Sequence, residues 1–191
     1  SFTAFFLITG SILIKFFSKN FLHIGSLLLG VSGSWLGGCL FWGWLRSYPI
    51  WHLPVESIAL PFAIAGLYTP WRMGAGFYLA SLLGTAITDF MIVCTGVMKS
   101  WPDVVNASFQ NASQLLHKTS QELLSAEKIL LLLLAAGFIL FLADWMNKKA
   151  TSDSLFERTW LVASAALITT LWVDGLFFLT TLIEPQLSGL I

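Results

Sequence analysis

The sequence predicts an all-α, polytopic transmembrane helix bundle of five to six spans, one of them short or broken, with an amphipathic connecting helix. Three observations predict it. Only 10% of the 191 residues are charged, against roughly 25% in a soluble domain, too few to cover a surface in water. Mean hydropathy is +0.80. Apolar runs approach or exceed the roughly 20 residues that cross a bilayer, and short polar or aromatic stretches separate them. The chain therefore reads as a single membrane domain over residues 1–191, with residues 100–128 as its extramembrane part. Membrane lipid is its expected surroundings. Formal net charge is +0 and no long basic block is present, which excludes nucleic acid as a partner.

Residues 2–17 form the first apolar run, short and interrupted by Lys15, whose stem lets the ammonium reach the interface. It lacks a basic leader and a small-residue cleavage site, so it is not read as a secretory signal. Residues 21–45 form the second, with Ser26, Gly30, Ser34 and Gly38 recurring every fourth position as a flat stripe. The third, residues 53–68, contains Pro54, Pro61 and Glu56, and reads as a tilted span, a broken helix or a re-entrant segment. Irregular backbone at membrane depth survives only against protein or water, so this segment is expected inside the bundle. Residues 73–98 form the fourth, with a second stripe of Gly76, Ala80, Gly84 and Thr88. Small residues let membrane helices approach closely. The two stripes are expected to meet each other, or to frame a groove for a flat ring.

Residues 100–128 change character: Val105, Phe109, Ala112, Leu116 and Leu123 recur at helical spacing among polar residues. This predicts a helix lying on the membrane surface or on a partner protein. Residues 129–145 and 159–183 complete the spans. With six crossings, Lys15, Lys19, Arg72, Lys148, Lys149 and Arg158 share one side, and Arg46, Lys99, Lys118 and Lys128 the other. The positive-inside rule makes the first side cytoplasmic or stromal. Cys39 and Cys94 lie in apolar runs without metal-type spacing and read as packing residues.

Three carboxylates stand where lipid penalises them: Glu56, Asp89 and Asp174. Insertion scales put each at about +2.5 to +3.5 kcal/mol near a span centre, so they are expected to face inward along a polar seam, with Arg46 and Arg72 as the nearest cations by position. Glu56 and Ser57 also suit the backbone groups that the flanking prolines leave unpaired. Thr85 and Thr170 each precede an aspartate by four residues, and each hydroxyl is expected on the carboxyl one turn on. The seam reads first as a register-fixing structural contact and second as a proton or ion path. His23 and His52 are candidate ligands of a chlorophyll magnesium or a haem iron through a neutral imidazole. Trp35 and Trp42 are candidates for contact with a pigment ring, while most other tryptophans suit interfacial belts. The motifs of zinc peptidases, P-loops and serine hydrolases are missing, so no catalytic residue and no metal site is assigned, and an enzyme is not predicted.

The stretches "SWLGGCLFWGWLRSYPIWHLPVESIALPFAIAGL", "FYLASLLGTAITDF" and "VDGLFFL" resemble a family of uncharacterised integral membrane proteins from cyanobacteria and related plastids, known only as a domain of unknown function. The resemblance covers most of residues 34–89 and a short block around Asp174. It implies a phototroph and the thylakoid membrane. The expected function is then a non-catalytic subunit, or an assembly or stability factor, of a photosynthetic complex, with photosystem I ahead of photosystem II. Chlorophyll a, carotenoid and lipid would lie in its grooves, and residues 101–128 would dock on photosystem core subunits. The alternative is a small proton-coupled transporter or channel that uses Glu56, Asp89 and Asp174. A membrane enzyme with Glu56 as acid or base comes third.

Overall fold

The computed structural model describes residues 2–16 and 19–188, and every regular element among them is helical. In chain order they are α1 (Phe2–Phe16), α2 (Lys19–Leu40), α3 (His52–Glu56), α4 (Leu60–Gly66), α5 (Arg72–Cys94), α6 (Val97–Asn106), α7 (Phe109–Glu122), α8 (Ala126–Ser152) and α9 (Glu157–Ile183). Four stretches are long and apolar enough to cross a membrane: Phe21–Leu45, Arg72–Cys94, Ala126–Ser152 and Glu157–Ile183. Phe2–Phe16 is a shorter apolar helix. The molecule is an integral membrane helix bundle.

Between α2 and α5 the chain breaks, as its prolines require. α2 ends in a single π turn, Phe41–Leu45, a distortion that is frequent at functional sites. A 3₁₀ turn (Pro49–Trp51), α3, a second 3₁₀ turn (Ser57–Ala59) and α4 follow. Pro61 lacks an N–H and its ring would collide with the carbonyl of Ser57 in a continuous helix, so the helix restarts there with Pro61 in its first turn. The Ser57 hydroxyl donates to the Pro54 carbonyl at 2.8 Å, occupying one of the groups the break frees.

This segment is wedged antiparallel between α2 and α5. His52 lies against Phe41 and Asp89, Glu56 against Gly37 and Thr85, Ala59 against Gly33, and Gly66 against Ala75. From Ala75 to Asp89 helix α5 climbs about 21 Å at 1.5 Å per residue. Residues 52–66 thus traverse most of the bundle's depth, enclosed by protein.

The close helix contacts differ in part from the stripes read in the sequence. α2 meets α5 through Ser26 and Gly30, but the partner is Gly74. The buried Ser26 hydroxyl donates to the Trp71 carbonyl at 2.8 Å and accepts from the Gly74 N–H at 2.9 Å. A Cβ on Gly30 would collide with the Gly74 carbonyl. The stripe of Gly76 and Gly84 turns instead to α9: a methyl on Gly84 would stand 2.7 Å from Thr170 Oγ1. The reason is the wedge, because α3 and α4 occupy the space between the later turns of α2 and α5. The core of the other half joins Ala80, Ile139, Met146, Ala163, Ala166 and Leu167, with the Ser164 hydroxyl donating to the Ala143 carbonyl at 3.0 Å.

The polar connection is two helices rather than one, and it closes one end of the bundle. Gly96, at φ 81°, supplies the left-handed residue that ends α5 and starts α6. Trp101 Nε1 donates to the Arg46 carbonyl at 2.8 Å, Ser47 donates to Asn106 at 2.9 Å, and Ser120 donates to Thr181 at 2.7 Å. Ala112 and Leu116 are buried as the spacing predicts; Val104 replaces Val105 as the buried valine, and Phe109 stays exposed.

Candidate functional site

The intramembrane acids converge on one histidine. His52 opens α3, and its carboxylate neighbour Glu56 lies one turn later on the same short helix, with Glu56 Oε1 3.3 Å from Nε2. Asp89, on the facing side of α5, lies 2.9 Å from Nδ1. An imidazole donates from both nitrogens only when doubly protonated, so this geometry selects the imidazolium. Burial of the ring opposes its charge, and the hydrogen bonds and charges of Asp89 and Glu56 favour it. Phe41, 2% exposed, covers the ring with centroids 4.3 Å apart. The π turn places Phe41 at this point.

Hydroxyl groups complete the site. Thr85 Oγ1 donates to Glu56 Oε2 at 2.8 Å, and the Tyr78 hydroxyl donates to the Glu56 backbone carbonyl. Thr88 Oγ1 donates to Asp174 Oδ2, on α9, at 2.5 Å. Asp174 is within electrostatic reach of both His52 and Asp89. Gly37 permits the assembly, since a Cβ there would lie 2.7 Å from Glu56 Cα. Two carboxylates thus contact one imidazolium and a third stands nearby, so the cluster has more acid than cation and can bind or pass a proton.

The sequence-predicted seam is assembled only in its acidic half. Arg72 starts α5, about 25 Å along the helix from Asp89; it donates to the Leu155 carbonyl at 3.2 Å and lies over the Phe156 ring. Arg46 is exposed after the π turn, its carbonyl holding Trp101. Neither arginine enters the cluster, and His52 is the cation instead. The threonine expectation also changes: Thr85 serves Glu56 across helices, and Thr170 donates back to the Ala166 carbonyl at 3.1 Å. Thr88, which was read only as a stripe residue, is the partner of Asp174.

The four candidate pigment residues do not share a groove. Axial ligation needs a free ring nitrogen, and both nitrogens of His52 face carboxylates. His23 sits at the other end of α2, near Arg158. Trp35 packs edge-on against Phe2 and Phe6 of α1. Trp42 meets Trp101 of α6, centroids 6.1 Å apart. Among the described residues no group of three His, Cys, Asp or Glu side chains is arranged to hold a metal ion.

A cavity of about 530 Å³ adjoins the cluster, between α5, α6, α7, α8 and α9. Met91, Leu116, Leu132, Ile139 and Phe178 line it, and Thr88 and Asp174 stand on its wall. Its size lies within the ~300–1,000 Å³ of small-molecule sites. No single element encodes it; the signal in the sequence was the helical spacing of Val105, Phe109, Ala112, Leu116 and Leu123, of which Leu116 and Leu123 line it.

The chain belongs to the family described as "Protein of unknown function (DUF3120)", whose model matches residues 1–182. No curated protein and no solved structure matches it.

Proposed function

We propose that the protein is a small proton-coupled membrane transporter in which His52, Glu56, Asp89 and Asp174 carry the proton. One observation carries this reading: an imidazolium held between two carboxylates, with a third carboxylate nearby that also borders a ligand-sized cavity. Ionisable groups inside a membrane bundle mark proton or substrate paths. Moving the proton from His52 to Asp89 neutralises both groups and removes the attraction that ties α3 to α5. α3 is a separable unit, bounded by two 3₁₀ turns. The proton step thus acts on a short helix joined to the spans by turns, the kind of element that alternating access uses.

The test is proton movement in liposomes carrying the purified protein and a trapped pH dye, under an imposed substrate or pH gradient. Asp89→Asn and His52→Gln are expected to abolish the proton flux while expression and helicity persist. Unchanged flux in both variants would overturn the reading.

A photosynthetic subunit in the thylakoid is the second reading. It draws on the outward aromatic surface, where Trp35, Trp42 and Trp44 are all exposed, a suitable flank for pigment or for core subunits. Purification from native membranes in mild detergent decides it: chlorophyll bands and photosystem subunits in the eluate support it, and a colourless lone chain removes it.

A further inference from the structure

We propose that the 530 Å³ cavity is the substrate site and that it takes a lipophilic ammonium: an apolar body with one positively charged nitrogen seated on Asp174. This inference rests on the transport reading and names its substrate class. The lining argues for the apolar body, because Met91, Leu116, Leu132, Ile139 and Phe178 leave little for a polar ligand to bond. Charge complementarity argues for the head. Asp174 is the one ionisable side chain among the described lining residues, and only one of its oxygens is held, by Thr88 Oγ1. A carboxylate on an apolar wall attracts a cation more strongly than it would in water, whereas an anion or a neutral chain gains nothing from it.

The location links the ligand to the proton. Asp174 feels the charges of Asp89, from α5, and of His52, from α3; α6, α7 and α8 add no titratable group to the lining. A cation on Asp174 and a proton on His52 repel each other, so occupancy by one weakens the other. Binding of the ammonium on one side of the membrane and of the proton on the other is then exchange, and no bond is made or broken beyond the proton's own.

The probe is radiolabelled dodecyltrimethylammonium, whose charge does not change with pH, measured on nanodisc-embedded protein against neutral dodecan-1-ol. Saturable binding of the ammonium, at least tenfold weaker for Asp174→Asn and for Gly175→Leu, is expected. Gly175 lines the cavity, and a Cβ there meets nothing within 4 Å, so a larger side chain can start there and narrow the cavity, a second variant that does not touch Asp174. Equal affinity for the alcohol, or indifference to both substitutions, would identify an acyl-chain slot and overturn the proposal. Proton flux in the same preparation separates the two claims. Asp89-dependent flux without ammonium binding removes this inference alone; binding without flux removes the transport reading on which it rests.

Discussion

His52 ties α3 to α5 through its charge, with Asp89 and Glu56 at 2.9 and 3.3 Å from its ring nitrogens. Thermal unfolding in detergent is therefore expected to show a lower midpoint for His52→Gln than for the wild type; equal midpoints would contradict the ion pair. At pH 7, His52→Gln also leaves Asp89 and Glu56 facing each other without a cation. Losing the charged hydrogen bonds of this half-buried group is expected to cost about 1.5–3 kcal/mol, and Asp89→Asn, which leaves a hydrogen-bonding amide, is expected to cost less. The acids were legible in the sequence because lipid makes their exposure expensive. Their partner was not, because helical periodicity places Asp89 and Asp174 on faces but cannot tell which residue of a proline-broken stretch folds back against them. The arginines were the strongest cations in the sequence, yet Arg46 and Arg72 lie at the ends of elements, at the ends of the bundle.

At the scale of elements, the wedge of α3 and α4 decides the architecture. Gly37→Ala tests it, because the added methyl would meet the Glu56 backbone at 2.7 Å and a backbone atom cannot rotate away. Overpacking of this kind costs about 1–3 kcal/mol, and the loss is expected to fall on α3, with faster hydrogen exchange in residues 52–59 than in α8 or α9. Gly38→Ala is the control, since a Cβ there meets nothing within 4 Å; equal effects of the two would refute the wedge. The stripes themselves were visible as spacing, but spacing shows that a face is flat, not which neighbour it meets. With the wedge in place, the Gly76–Gly84 face is left to α9, and α2 is held by Ser26, Gly30 and Gly74 instead. The end cap follows the same logic. Trp101→Ala removes both the bond to the Arg46 carbonyl and the contact with Trp42, and is expected to raise proteolytic cleavage within residues 97–122 several-fold without unfolding α8 and α9.

At the scale of the molecule, the alternation of helix directions fixes which ends share a membrane face. α2 and α5 run parallel, since Ser26 meets Trp71 and Gly33 meets Tyr78, and the broken segment runs back between them. Arg46, Lys99, Lys118 and Lys128 therefore gather at the end closed by α6 and α7, and the remaining six basic residues at the other. The positive-inside rule predicts the six-residue end on the cytoplasmic side, and with it the cap of α6 and α7 on the opposite side. Gln110→Cys and Ser154→Cys, both at exposed positions on opposite ends, measure this once the exposed native Cys39 and Cys94 are replaced by serine. A membrane-impermeant maleimide added to sealed, cytoplasm-inside vesicles is expected to label Gln110→Cys directly and Ser154→Cys only after permeabilisation. The reverse pattern would place the cap in the cytoplasm and the six-residue basic end opposite it, against the positive-inside rule.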